Sequence, residues 1–190
     1  MKFLIFLNFF LLFAGTAYSQ NENKVDSISE LLQGDYYIEG PLKGGRWSIK
    51  NDTSLLWKRA HDLFRHMPLK SVSNWFDTSK HVLKYYAFLK LLDLNDSLAF
   101  VKLEQIGNDS VKVNFSFDDD NWGDEKFNQL LLSMYKQFAQ AKYYDGGTVH
   151  LGIYYFGPSI RKFPKANSST WRKKYSEIEE FAKRYNLRPF

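Results

Sequence analysis

Residues 81–103, HVLKYYAFLKLLDLNDSLAFVKL, constrain the fold more than any other stretch of this 190-residue chain. Val82, Tyr85 or Tyr86, Leu89 and Leu92 recur at the step that places side chains on one face of a helix. Asn95-Asp96 then breaks the pattern, with side chains suited to turning the chain and capping a new helix. Ala99, Leu103 and Ile106 line that second helix, and Gly107 ends it. Two helices joined this tightly must lie antiparallel, as an αα-hairpin. Ala87, small between Tyr86 and Phe88, is expected to be buried against a neighbouring helix. Lys90, three residues on, is expected to point to solvent.

The same residues carry a resemblance. VLKYYAFLKL followed by NDSLAFVKLEQIGNDSVKV resembles a HEAT-like helical repeat of the kind found in bacterial proteins. Val82, Leu83, Lys84, Tyr86, Ala87, Phe88 and Leu91 fit its second helix, and LFRHMPLKSVSNWF is similar to its lead-in helix. Residues 55–113 are covered. His81 stands where such repeats often have Pro, and Lys84 where they usually have Arg, whose planar fork a lysine does not reproduce. The core helices near Leu56, Val82 and Phe127 are unevenly spaced, whereas a stable solenoid needs about three repeats or more. The resemblance therefore implies HEAT-like hairpins over about residues 52–107 and not a long array.

The N-terminus, MKFLIFLNFFLLFAGTAYSQ, must be set apart from the fold. Lys2, the apolar run Phe3–Phe13 and the small residues Ala17 and Ser19 form the pattern of a secretory signal peptide. The run is shorter than the ~20 residues that span a bilayer. Residues 1–19 are expected to be removed between Ser19 and Gln20, leaving 20–190 as a single globular domain, periplasmic or secreted and not transmembrane. The chain has no Cys, so disulfides cannot staple it and lipid attachment at a cysteine is excluded. Stability must come from packing, and 17 Phe, 12 Tyr and 5 Trp supply the material.

The rest of the chain is mixed. Ser27-Ile-Ser-Glu30 has capping-box spacing ahead of a short helix. The Gly-rich stretch DYYIEGPLKGGRWSIKNDT predicts a loop or loose hairpin, Tyr36–Ile38 facing Arg46–Ile49. A helix after Asp52 or Thr53 carries Leu56, Ala60, Leu63, Phe64 and Met67 and stops at Pro68. A short one over Ser71–Asp77 carries Val72, Trp75 and Phe76. Ser110–Phe117 alternates like a half-buried strand, and DDDNWGDE reads as a polar turn. Lys126–Tyr143 is a helix with Phe127, Leu130, Leu131, Met134, Phe138 and Ala141 on its apolar face, capped by Asp120 or Asp124 and broken at Asp145-Gly-Gly147. Thr148–Gly157 reads as strand. Ser168–Thr170 caps a last helix with Trp171, Tyr175, Ile178, Phe181, Ala182 and Tyr185 as its buried stripe. The fold class expected is mainly α: HEAT-like αα-hairpins in one compact domain with a small β element.

No stretch assembles a catalytic centre by itself. GPLKGGRWS, from Gly40, has phosphate-loop glycine spacing, but Arg46 and Trp47 replace the Lys and Ser or Thr that hold phosphate and magnesium. Asp118, Asp119, Asp120, Asp124 and Glu125 are dense enough to suggest calcium. An EF-hand register with Gly123 sixth, however, puts Trp122 at a ligand position and Gln129 at the closing one. His61 and His66 are five apart and do not share a helix face as a metal pair would. There is no HExxH and no GxSxG. No catalytic, cofactor-binding or metal-binding residue is assigned. The aromatic doublets Tyr36-Tyr37, Tyr85-Tyr86, Tyr143-Tyr144 and Tyr154-Tyr155 place neighbours on different sides, so one member of a pair can be exposed and stack on a sugar ring or fill a peptide groove.

Charge is uneven. Residues 157–190 hold nine Lys or Arg against three Glu. That basic end suits a protein, an anionic glycan or a membrane surface. No nucleic-acid partner and no cofactor are expected. These features point to an exported, non-enzymatic HEAT-like module that binds protein or glycan. The alternative is a hydrolase with a dispersed site near the acidic turn 118–125 and His150.

Overall fold

The computed structural model describes residues 37–39, 42–43, 52–53, 55–118, 121–145, 147–150, 160–163 and 168–188. The expected signal peptide, the capping box at Ser27–Glu30 and most of the Gly-rich loop lie outside the described residues. The fold is mainly α with small β elements. In chain order come β1 (Tyr37–Glu39), β2 (Leu42–Lys43), β3 (Asp52–Thr53), α1 (Leu55–Phe64), α2 (Leu69–Thr78), α3 (His81–Leu94) and α4 (Asp96–Gln105). Then follow β4 (Lys112–Asp118), β5 (Asn121–Lys126), α5 (Phe127–Ala139), a π-helical turn (Gln140–Asp145), β6 (Gly147–His150), β7 (Ile160–Phe163) and α6 (Ser168–Arg184).

The helical hairpin is present. Asn95 is the N-cap of α4, and its side chain accepts the Leu98 amide at 3.0 Å. The cap satisfies one of the donors left free at a helix start, typically for about 1 kcal/mol. Ala87 is fully buried, as its size requires. The single buried face expected for α3 is corrected. Val82, Leu83 and every residue from Tyr85 to Leu92 are buried, because α1, α2, α4, α5 and β1 surround this helix. Lys90 is corrected with it. Only 6% exposed, it extends its ammonium to the Arg65 carbonyl at 3.2 Å, just past the C-terminus of α1, and to Asp93 at 3.5 Å. A buried ammonium needs such acceptors, and a helix end supplies an unpaired carbonyl.

Pro68 does not stop α1, which ends at Phe64. It occupies the N-cap of α2 instead, where its missing N–H removes no helical hydrogen bond. Val72 and Phe76 of α2 are buried, and Asp77 receives Lys102 of α4 at 2.6 Å.

The β element adds a pairing that local sequence did not suggest. Tyr37–Glu39 pairs parallel with β4, Ile38 opposite Phe115, and β4 pairs antiparallel with β5 in the order β1-β4-β5; the expected partner, Arg46–Ile49, lies outside the described residues. Residues 121–125, read as part of a polar turn, and Lys126, read as the start of a helix, are therefore strand: hydrogen bonding to β4 overrides their weak β preference. Val113 and Ile38 put this sheet into the core, while Val111, just before β4, is exposed. The helix cap expected from Asp120 or Asp124 is also corrected. Lys126 is the N-cap of α5 and makes no side-chain cap bond, and Asp124 pairs with Lys112 at 3.1 Å.

Helix α5 buries Phe127, Leu130, Leu131, Met134, Tyr135 and Phe138. Its first turn also anchors two distant segments. The Asn128 amide donates to the Gly107 carbonyl at 2.7 Å, and Gln129 Oε1 accepts the Arg188 amide at 2.8 Å. Helix α6 buries Ile178, Phe181 and Ala182. It closes with Asn186 at φ 52 and a Leu187 N–H to Ala182 carbonyl bond of 2.8 Å, the geometry of a Schellman stop.

Candidate functional site

The π-helical turn that ends α5 comes next to the start of α4 and the first half of α6. Wide turns of this kind are rare and favour functional sites. Asp96, the first residue of α4, is 8% exposed. Lys142 Nζ donates to its Oδ1 at 2.8 Å, and Tyr143 Oη donates to its Oδ2 at 2.6 Å. Burial alone would raise the Asp96 pKa. The two hydrogen bonds and the charges of Lys142 and Lys174 outweigh it and hold the carboxyl below its ordinary range. Burial, reinforced by the bond to Asp96, pushes the Tyr143 phenol upward. Tyr135 lies alongside, fully buried, its hydroxyl without a hydrogen-bond partner among the described residues. Burial and the nearby Asp96 charge raise its pKa as well, so it stays protonated. Lys174 pairs with Glu177 at 2.9 Å and lies 5.7 Å from the centre of the Phe100 ring.

Above this polar cluster three aromatic rings run in sequence on the surface. Tyr144, next to Tyr143 in the π turn, is 58% exposed. Its ring centre is 5.6 Å from that of half-buried Trp171, which is 5.5 Å from Tyr175, itself 36% exposed. Trp171 and Tyr175 are four apart on α6 and so share a face. The planes turn by 47° and then 53° between neighbours, which makes a twisted strip and not a flat platform. Lys136 Nζ sits 5.8 Å from the Tyr175 ring centre. The Tyr175 hydroxyl is hydrogen-bonded to Glu179, which raises its pKa. Arg172 and Lys173 are exposed between the two α6 rings. Trp171 and Tyr175, expected in the core stripe, are corrected to half-buried and exposed, because α6 packs inward through Ile178, Phe181 and Ala182. Two aromatics four apart flanking Arg-Lys-Lys were the sequence signal for this surface.

Other expected features fall elsewhere. Tyr85 and Tyr86 are both core. Glu125 pairs with Arg188 and Arg184 with Glu104 at 3.7 Å, so part of the basic C-terminal end is spent within the fold, while Arg172, Lys173 and Lys183 stay exposed. The side chains of Asp118, Asp119, Asp120 and His150 lie outside the described residues. Among the described residues His81 is the histidine closest to a carboxylate, its Nε2 2.9 and 3.1 Å from the oxygens of Asp109 with its ring edge-on to Phe127. That pair ties the start of α3 to the segment entering β4. His61 stacks on Trp57 at 5.0 Å, and burial lowers its pKa. Among the described residues no three His, Asp or Glu side chains gather as a metal site, and no helix is long and apolar enough to cross a membrane. No protein-family model, no curated protein and no solved structure matches the chain.

Proposed function

We propose that this chain is an exported, non-enzymatic binding module, built on HEAT-like hairpins, that recognises an anionic glycan chain through Tyr144, Trp171 and Tyr175. The observation that carries the reading is the strip itself: three neighbouring rings, two of them exposed, at steps of 5.6 and 5.5 Å, with the Lys136 ammonium 5.8 Å from the Tyr175 ring centre. That step is close to the repeat of a pyranose chain. Each ring offers an apolar face to the C–H face of a sugar, and the nearby Lys136 and the basic surface of α6 supply attraction to carboxylate or sulfate groups. The twist between rings suits a single soluble chain better than a crystalline polysaccharide surface.

The test is calorimetric titration with oligogalacturonate, a carboxylated chain, beside a neutral oligosaccharide of similar length. The expected result is binding of the charged chain only, weakened by salt and reduced about tenfold or more by Trp171→Ala. Equal binding of the neutral chain, or no effect of Trp171→Ala, overturns the reading. Retention on anionic vesicles in place of the oligosaccharide would instead assign the basic end to a membrane surface. Release of new reducing ends would favour the alternative, a hydrolase near 118–125 and His150. The export part is tested separately, by N-terminal sequencing of the protein made with its leader, where Gln20 is the expected first residue.

A further inference from the structure

Tyr144 is exposed and belongs to a turn of unusual winding, so something must fix where its ring stands. We infer that Asp96 is the positioning residue of the aromatic strip: by accepting hydrogen bonds from both Lys142 and Tyr143 it sets the rotation of the π turn and thereby holds Tyr144 against Trp171. The inference rests on the glycan-binding reading only for its ligand arm.

The geometry behind it is specific. Lys142 and Tyr143 are consecutive, and they reach the two separate oxygens of one carboxylate at 2.8 and 2.6 Å. Two adjacent anchors leave a helical turn no freedom to rotate about its axis. If the π turn rewound to ordinary α-helix, each residue past the change would rotate by up to about 100°, the angle per residue of an α-helix. Lys142 and Tyr143 could not both keep their oxygens. With Tyr143 held against Asp96, the direction of Tyr144, the next residue round the turn, is fixed as well, and its ring meets Trp171 in the first turn of α6 at 5.6 Å. Lys142 also lies 5.0 Å from the Tyr143 ring centre and 5.9 Å from that of Phe138, so its ammonium braces the turn from the α5 side as well. Asp96 is itself rigid: it begins α4, directly after the Asn95 cap, where the helix dipole favours a carboxylate. Lys174 of α6, itself paired with Glu177, and Tyr135 of α5 also face its charge.

The experiment uses Asp96→Asn, which keeps the size and loses the charge, and Tyr143→Phe, which keeps the ring and loses one anchor. Proton NMR of the full chain reads the cross-peaks between the Tyr144 and Trp171 rings. Both variants are expected to lose or strongly weaken these while the ring contacts of Tyr85 with Tyr86 in the core persist. Oligogalacturonate affinity should fall about fivefold to tenfold in Asp96→Asn, and by no further amount when Asp96→Asn is added to Tyr144→Ala. A general structural role would lower affinity in both backgrounds. Intact Tyr144–Trp171 cross-peaks in both variants overturn the inference whatever the ligand result. If the parent itself does not bind the oligosaccharide, the cross-peaks still decide the positioning role, so failure of the glycan reading is told apart from failure of this one. Should Asp96→Asn fail to fold, Tyr143→Phe carries the same two readouts.

Discussion

Replacing Gly107 with Ala tests how closely α4 and α6 approach. Gly107 follows α4 in a turn, is buried, and does not have a positive φ, so an alanine meets no backbone strain of the left-handed kind. Space is the obstacle. A Cβ on Gly107 would lie 2.2 Å from Cζ and 2.4 Å from both Cε atoms of Tyr185, inside the ring face. Carbon atoms rest at about 3.5–4.0 Å, so the ring must retreat by roughly 1.3–1.8 Å. It would leave Phe181, whose ring centre is 4.7 Å away, and lose its hydroxyl bond to the Glu104 carbonyl at 3.4 Å. Overpacking of this degree costs about 1–3 kcal/mol. Alanine recovers about 0.4–1 kcal/mol by restricting the unfolded chain. The expected net loss is about 1–2 kcal/mol, read by urea denaturation as a lower midpoint at constant slope. The same substitution in a Tyr185→Ala background removes the obstacle and should be neutral or slightly stabilising, a coupling of about 1 kcal/mol or more. If Gly107→Ala is neutral in the parent, or equally costly in both backgrounds, the close approach of Tyr185 is not what requires glycine here.

Lys90→Glu should cost about 3–5 kcal/mol by denaturation, because it sets a carboxylate against Asp93 and the Arg65 carbonyl in a buried site; Ala87→Leu, overpacking fully buried Ala87, should cost about 1–3 kcal/mol. Acid should weaken the cluster at the π turn. Asp96 has a folded pKa below its unfolded value of about 3.9, so its contribution is fully present above about pH 4 and is lost as pH falls through the folded value. Asp96→Asn should flatten the pH dependence of stability in that window, as followed by circular dichroism. Asn95→Ala, which removes the cap on the Leu98 amide, should lower stability by about 1 kcal/mol and leave the Tyr144–Trp171 cross-peaks unchanged.

Helix positions were largely legible in the sequence. Leu69–Thr78, the hairpin His81–Gln105 and Phe127–Ala139 declare themselves by apolar spacing, by Asn95 as cap and by Gly107 as stop. What stayed hidden depends on partners far along the chain. Asn121–Glu125 is mostly polar and reads as part of a turn, and only β4 makes it a strand. The parallel pairing of Ile38 with Phe115 joins segments that no local pattern relates. Lys90 looked exposed because lysine usually is, yet the carbonyl that accepts it belongs to another helix. The aromatic strip was half legible. The Tyr143-Tyr144 doublet suggested one inward and one outward ring, and that is how they are placed. Trp171 and Tyr175 fitted a buried stripe as well as an exposed one, and the π winding that brings Tyr144 to them leaves no mark in composition.

The hairpin turn is where the fold and the candidate site meet. Asn95 and Asp96 are adjacent, and a reading of local structure gives both the same task, starting α4. Their side chains divide it. Asn95 accepts the Leu98 amide three residues away, while Asp96 accepts from Lys142 and Tyr143, 46 and 47 residues on. The first bond makes the hairpin; the second ties it to the π turn. Helix α3 can contribute little to a surface, since α1, α2, α4, α5 and β1 cover it. In a stacked array each unit must offer a face to the next, and the helix with the strongest repeat-like pattern has none left to offer. Its part is instead to hold α4 firmly, so that the carboxylate at the tip of the hairpin is a fixed point. A strip made of rings from the π turn and α6 needs such a point, because neither element sets the other's rotation alone. A mostly buried helix can in this way determine where exposed rings on other elements stand.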